Sequence, residues 1–205
     1  MTKYNKNKKG FTLIELLVVV AIIAILAVVV VLTLNPAELL RQSRDSSRIS
    51  DFATLKSAIS LYIIDNATPN LASSSLGYAA CYLSTVSPNG TTTAACGTFT
   101  GSYPSGNSST TASLYRNNNS LGWLPVNFSQ LSYGSPLSAL PVDPTNNANY
   151  YYSYAATTTN GYFFELNTFM ESKKYNASGT NDVVSTDGGD NNKVYEIGSY
   201  PKLNL

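Results

Sequence analysis

Side chains that carry most enzyme chemistry are scarce in this 205-residue sequence, and histidine is absent. Without histidine the chain has no Ser-His-Asp or Cys-His catalytic site, no histidine-ligated zinc and no histidine pH switch. Charged residues make up only 12% of the chain, about half the usual share. The acidic residues cluster only in one helical segment and in the C-terminal part. The sequence therefore predicts a protein that is not an enzyme.

Glu15 is the one charged residue in a stretch from Phe11 to Leu34 that is otherwise apolar except for Thr12 and Thr33. An ionised carboxylate costs about 2.5 to 3.5 kcal/mol at the centre of a membrane helix and less near the interface, so it needs a cation. A cut between Gly10 and Phe11 would create an α-amine four residues before Glu15, on the same helical face. The alternative is a plain signal anchor in which the Glu15 side chain reaches the lipid headgroups.

The apolar stretch is long enough to cross a membrane. From Leu16 to Leu32 it has no polar side chain, and a helix from Phe11 to Leu34 would be about 36 Å long, against a hydrocarbon core of about 30 Å. It exceeds the apolar core of a cleaved signal peptide, so we expect it to be retained. Basic residues before it predict a cytoplasmic N-terminus and an exported remainder; they are Lys3, Lys6, Lys8 and Lys9.

Residues 8–16, with the sequence KKGFTLIEL, resemble the class III signal of type IV pilins and type II secretion pseudopilins. The resemblance covers about residues 8–65. It implies that a prepilin peptidase cuts after Gly10 and N-methylates Phe11, and that Glu15 pairs with the Phe11 amine of an adjacent subunit during assembly. It also implies a homopolymeric filament, an inner-membrane assembly platform and an assembly ATPase as partners.

The same resemblance implies an α+β fold, in which a long N-terminal helix packs on a small antiparallel sheet. We expect five segments: a cleaved leader at 1–10, a transmembrane and filament-core helix at 11–34, an amphipathic continuation at 35–65, a variable loop region at 66–142, and the sheet with a C-terminal loop at 143–205.

The predicted helix continuation has a boundary signal and two faces. Asn35-Pro36-Ala37-Glu38 combines a capping residue, a first-turn proline and an acid, which predicts a helix start or a kink. Apolar residues then recur at intervals of three and four, which predicts a stripe that packs on the sheet: Ile49, Phe52, Leu55, Ile59, Tyr62 and Ile63. The opposite face is polar and carries Arg41, Arg44, Arg48, Asp51 and Lys56.

Residues 66–142 contain a single charged residue, Arg116, and are rich in Ser, Thr, Asn, Gly and Tyr. This composition predicts a polar, uncharged extracellular surface, and it does not choose between carbohydrate binding, glycosylation and subunit packing. Cys81 and Cys96 lie fifteen positions apart in this segment. An exported domain meets oxidising conditions, so we expect them to form a disulfide, with two buried thiols as the alternative.

The C-terminal part predicts strands at 150–154, 162–166 and 194–197, with a hairpin turn at Asn160-Gly161. The Asp143-Pro144 dipeptide before them is similar to a short segment that precedes the sheet in pseudopilins. Asp182, Asp187 and Asp190 lie near glycines between the last two predicted strands. Clustered oxygens of this kind suit Ca²⁺, and major pseudopilins carry a calcium site in a C-terminal loop. Turn chemistry alone would select the same residues.

Three functions fit these features. The first is a structural subunit of a type IV pilus, made as a single-pass inner-membrane precursor and assembled into a surface filament for adhesion, motility or DNA uptake. The second is a type II secretion pseudopilin, and the third is a membrane-anchored binding protein that does not polymerise. Loss of the leader leaves nine basic against twelve acidic residues, a net charge of −3. We therefore predict no specific nucleic acid partner, unless Lys173, Lys174, Lys193 and Lys202 form a local patch.

Overall fold

A computed structural model describes residues 10–72, 80–85, 105–106, 114–158 and 161–202 of the chain. The described residues form two compact units, Met1–Leu40 and Arg41–Leu205. A long apolar helix dominates the first unit, and the second combines a helix with a small sheet. The fold class is α+β, as predicted.

Helix α1, Leu13–Leu34, is 22 residues long. Val and Ile favour helices weakly in water, but in a membrane a helix is the way for a single segment to satisfy its own backbone hydrogen bonds. Residues Leu13–Val31 are long and apolar enough to span a membrane, and none of that stretch is buried. The helix ends at Asn35, whose φ of 42° lies in the left-handed region.

Helix α2, Pro36–Asp65, starts at the predicted boundary. The Asn35 side chain accepts a hydrogen bond from the Glu38 amide at 3.4 Å, and proline at the first position has no amide hydrogen to leave unpaired. The predicted apolar stripe is largely confirmed, since four of its members are buried: Phe52, Leu55, Ile59 and Tyr62. Ile49 and Ile63 are half-buried.

The polar face of α2 differs from the prediction at Arg48. We expected this residue on the face opposite the apolar stripe, and its side chain is instead fully buried. The physical reason is pairing, because three carboxylates surround the guanidinium and compensate its loss of water.

Five strands form one sheet in the order β2-β1-β3-β4-β5. Their bounds are Cys81–Leu83 (β1), Ser105–Gly106 (β2), Tyr152–Thr157 (β3), Phe163–Thr168 (β4) and Tyr195–Gly198 (β5). The pairs β1–β3, β3–β4 and β4–β5 are antiparallel, and β2 runs parallel to β1. A short 3₁₀ helix, Phe128–Gln130, lies between β2 and β3.

Strands β3, β4 and β5 confirm the three predicted strands, each starting one or two residues later than expected. The pairing of Thr157 with Phe163 brings β3 and β4 together across the predicted hairpin; Asn160 of its turn lies outside the described residues. Strands β1 and β2 lie within 66–142, where we expected loops. They are too short to leave a periodic signal, and β1 forms by pairing with the distant β3.

The core lies between α2 and one face of the sheet. The rings of Phe52 and Tyr152 meet edge to face, with centroids 4.9 Å apart. The buried Trp123 indole donates a 2.9 Å hydrogen bond to the Pro141 carbonyl. The Tyr152 hydroxyl donates to the Asp51 carboxylate at 2.7 Å. These bonds satisfy the polar atoms of large aromatic residues at the interface between helix and sheet.

Candidate functional site at the N-terminal helix

The predicted cleavage bond lies just before α1 in exposed, non-helical chain. The Phe11 side chain is 88% exposed. No atom lies within 4 Å of the position that a Cβ on Gly10 would take. Packing in the described structure therefore does not require glycine at this position, and the bond lies in a segment that an enzyme can reach.

Glu15 has a local role that sequence reasoning missed. Its Oε2 accepts hydrogen bonds from the Thr12 backbone amide at 2.8 Å and the Thr12 hydroxyl at 2.7 Å. The Glu15 amide donates to the Thr12 hydroxyl oxygen at 3.3 Å. This is a reciprocal capping box, and it satisfies backbone donors at the start of α1. The Thr-x-x-Glu spacing was the signal that could have revealed it.

The carboxylate of Glu15 lies beside an open, mostly apolar groove of about 370 Å³ on the helix surface, lined by Phe11, Ile14, Glu15, Val18 and Val19. Both capping bonds use Oε2, and among the described residues no hydrogen bond is made to Oε1. The carboxylate can thus cap its own helix and accept a further donor. In the uncut chain the Phe11 nitrogen is part of a peptide bond, so its pairing with Glu15 stays a prediction.

A buried ion cluster in the second unit was also missed. The Arg48 guanidinium binds Asp143 through two bonds of 2.6 and 2.8 Å, Asp45 at 2.7 Å and Glu171 at 2.6 Å. Arg44 binds Glu171 from the other side. The bond from Arg44, reinforced by Arg48, lowers the pKa of Glu171 to about 2. The cluster ties α2 to two distant loop segments.

The Asp143-Pro144 segment now has a physical role. The Asp143 carboxylate neutralises Arg48, and its Oδ1 accepts backbone hydrogen bonds from Thr145 at 2.8 Å and Asn146 at 3.1 Å. Asp45 likewise accepts from the backbone amides of Glu171 and Ser172. The carboxylates of the cluster therefore make ion pairs and hydrogen bonds that stabilise the fold, which is a structural role.

The predicted disulfide involves one described residue. Cys81 is fully buried in β1, on the sheet face that Leu83 and Ala155 also share. Cys96 lies outside the described residues. The pairing stays a prediction.

The three aspartates of the predicted calcium site do not share the same contacts. Asp182 accepts backbone hydrogen bonds from Ser178 at 2.7 Å and Ser185 at 2.8 Å, which lower its pKa. Asp187 accepts from Gly189 and from the Glu196 amide. Asp190 is exposed. In the described part of the chain, no three acidic, cysteine or histidine side chains converge to hold a metal ion. Calcium binding at these residues stays a prediction.

Glu196 in β5 is an acid that sequence reasoning did not single out. It is 1% exposed, and Glu165 on the neighbouring β4 is buried as well. Its Oε2 accepts a hydrogen bond from the Asn191 amide at 2.8 Å, while its Oε1 is buried without a hydrogen-bond partner among the described residues. Burial, together with nearby carboxylates, raises the pKa of Glu196 to about 8.

The comparisons with known proteins address the N-terminal segment alone. The family model for the prokaryotic N-terminal methylation motif matches residues 5–31. No curated protein and no solved structure matches the chain. The matched residues contain the Gly10–Phe11 bond, Glu15 and most of α1. The chain therefore carries the class III signal of type IV pilins and pseudopilins at the start of a long apolar helix.

Proposed function

We propose that the chain is a structural subunit of a type IV pilus filament that polymerises through α1. The observation that carries this proposal is the exposure of α1, since the whole candidate span from Leu13 to Val31 is unburied. Burying one Val or Leu side chain is worth about 1.5 to 3 kcal/mol. Such a helix needs lipid around it in the precursor and the same helices of other copies in a filament.

Processing supplies the charge that assembly needs. Cleavage by a prepilin peptidase removes the four leader lysines and leaves the Phe11 amine as the cation nearest to the apolar helix. Glu15 of one copy then attracts the Phe11 amine of the next, in surroundings where few water molecules screen the pair. The exposed carboxylate beside an apolar groove supports this step.

The precursor is a single-pass protein of the inner membrane, with the leader in the cytoplasm and the second unit exported. The filament leaves the cell surface and serves adhesion, motility or DNA uptake. An assembly platform and an assembly ATPase move each subunit out of the membrane. The alternatives are a type II secretion pseudopilin and a non-polymerising membrane-anchored binding protein.

Mass spectrometry of material sheared from cells tests the proposal. A pilus subunit is expected to be released, with an N-terminal peptide that starts at methylated Phe11. If the processed protein instead stays with the cells, the result would favour the pseudopilin over the pilus subunit. An intact leader in the mature protein would reject both filaments and leave the anchored binding protein.

A further inference from the structure

We draw no further inference here: the strongest candidate, the open and mostly apolar groove of about 460 Å³ that Ser50, Ala53, Thr54 and Ser57 of helix α2 form with Pro136 and Leu137, carries none because nothing in the structure shows what covers it.

Discussion

Glu15 combines two tasks that different substitutions separate. The carboxylate caps its own helix through Thr12, and the proposed assembly step uses its charge. Glutamine can also complete a capping box, so Glu15→Gln keeps the cap and removes the charge. Thr12→Ala removes the cap and keeps the charge.

We expect Glu15→Gln and Glu15→Ala to be processed normally and to lower the sheared filament fraction about tenfold or more, because a charge pair in poorly hydrated surroundings is worth several kcal/mol. Thr12→Ala should reduce the yield much less. Immunoblots of sheared and cell-associated subunit, compared for equal processing, measure this. A normal filament yield from Glu15→Gln would show that assembly does not need the charge of Glu15 and that the residue acts only as a helix cap.

Arg48 is the centre of a cluster whose loss should be costly. Arg48→Met leaves Asp45 and Asp143 buried without their cation, and breaking such a pair costs about 3 to 5 kcal/mol in the free energy of unfolding. Arg44→Met is the matched control, since Arg44 is partly exposed and such pairs contribute about 0 to 1 kcal/mol. Denaturant unfolding of the full chain in detergent, followed by Trp123 fluorescence, measures both. Equal effects of the two substitutions would contradict the central role assigned to Arg48 in the ion cluster.

Helix α2 has features that the spacing of its residues predicts and one that it does not predict. Its apolar spacing predicted the buried Phe52, Leu55, Ile59 and Tyr62, because burial of one helical face leaves a period in the sequence. Nothing in that period distinguishes Arg48 from Arg41. Two of the three acidic partners of Arg48, Asp143 and Glu171, lie 95 and 123 positions away, and only packing brings them to it.

Glu196 in strand β5 makes the stability of the fold depend on pH. Its folded pKa of about 8 lies above the ordinary value of 4.5 because the side chain is buried near other carboxylates, Glu165 first. The folded state therefore binds more protons than the unfolded state between pH 4.5 and 8, and stability falls as the pH rises through this range. Asp187 and Asp190 also face this group, and their ionisation acts in the same direction.

Glu196→Gln should flatten this dependence. We expect the variant to unfold at a higher temperature than the parent at pH 9, and at a similar temperature at pH 4, where both side chains are neutral. Thermal unfolding of the full chain across this range measures the difference. A parent curve that is as flat as that of the variant would show that Glu196 is ionised in the folded state at neutral pH.

The predicted disulfide would stabilise the whole molecule mainly by restricting the conformations of the unfolded chain. A bond between Cys81 and Cys96 would close a loop of about 15 residues and stabilise the fold by about 3 kcal/mol. We expect the untreated protein to resist thiol alkylation and the reduced, alkylated protein to unfold at lower denaturant. The Cys81→Ser/Cys96→Ser variant should match the reduced protein. Two reactive thiols in the untreated, denatured chain would contradict the prediction.

The sequence by itself determined the processing signal, the apolar helix, the break at Asn35-Pro36 and three of the five strands. These features are local: a motif, a hydrophobic period or a turn residue specifies each of them. The tertiary structure alone decided that Arg48 is buried, that Glu171 binds Arg44, and that β1 pairs with β3. Such contacts join residues far apart in the chain, and the free energy that selects them comes from packing and ion pairing that no local pattern records.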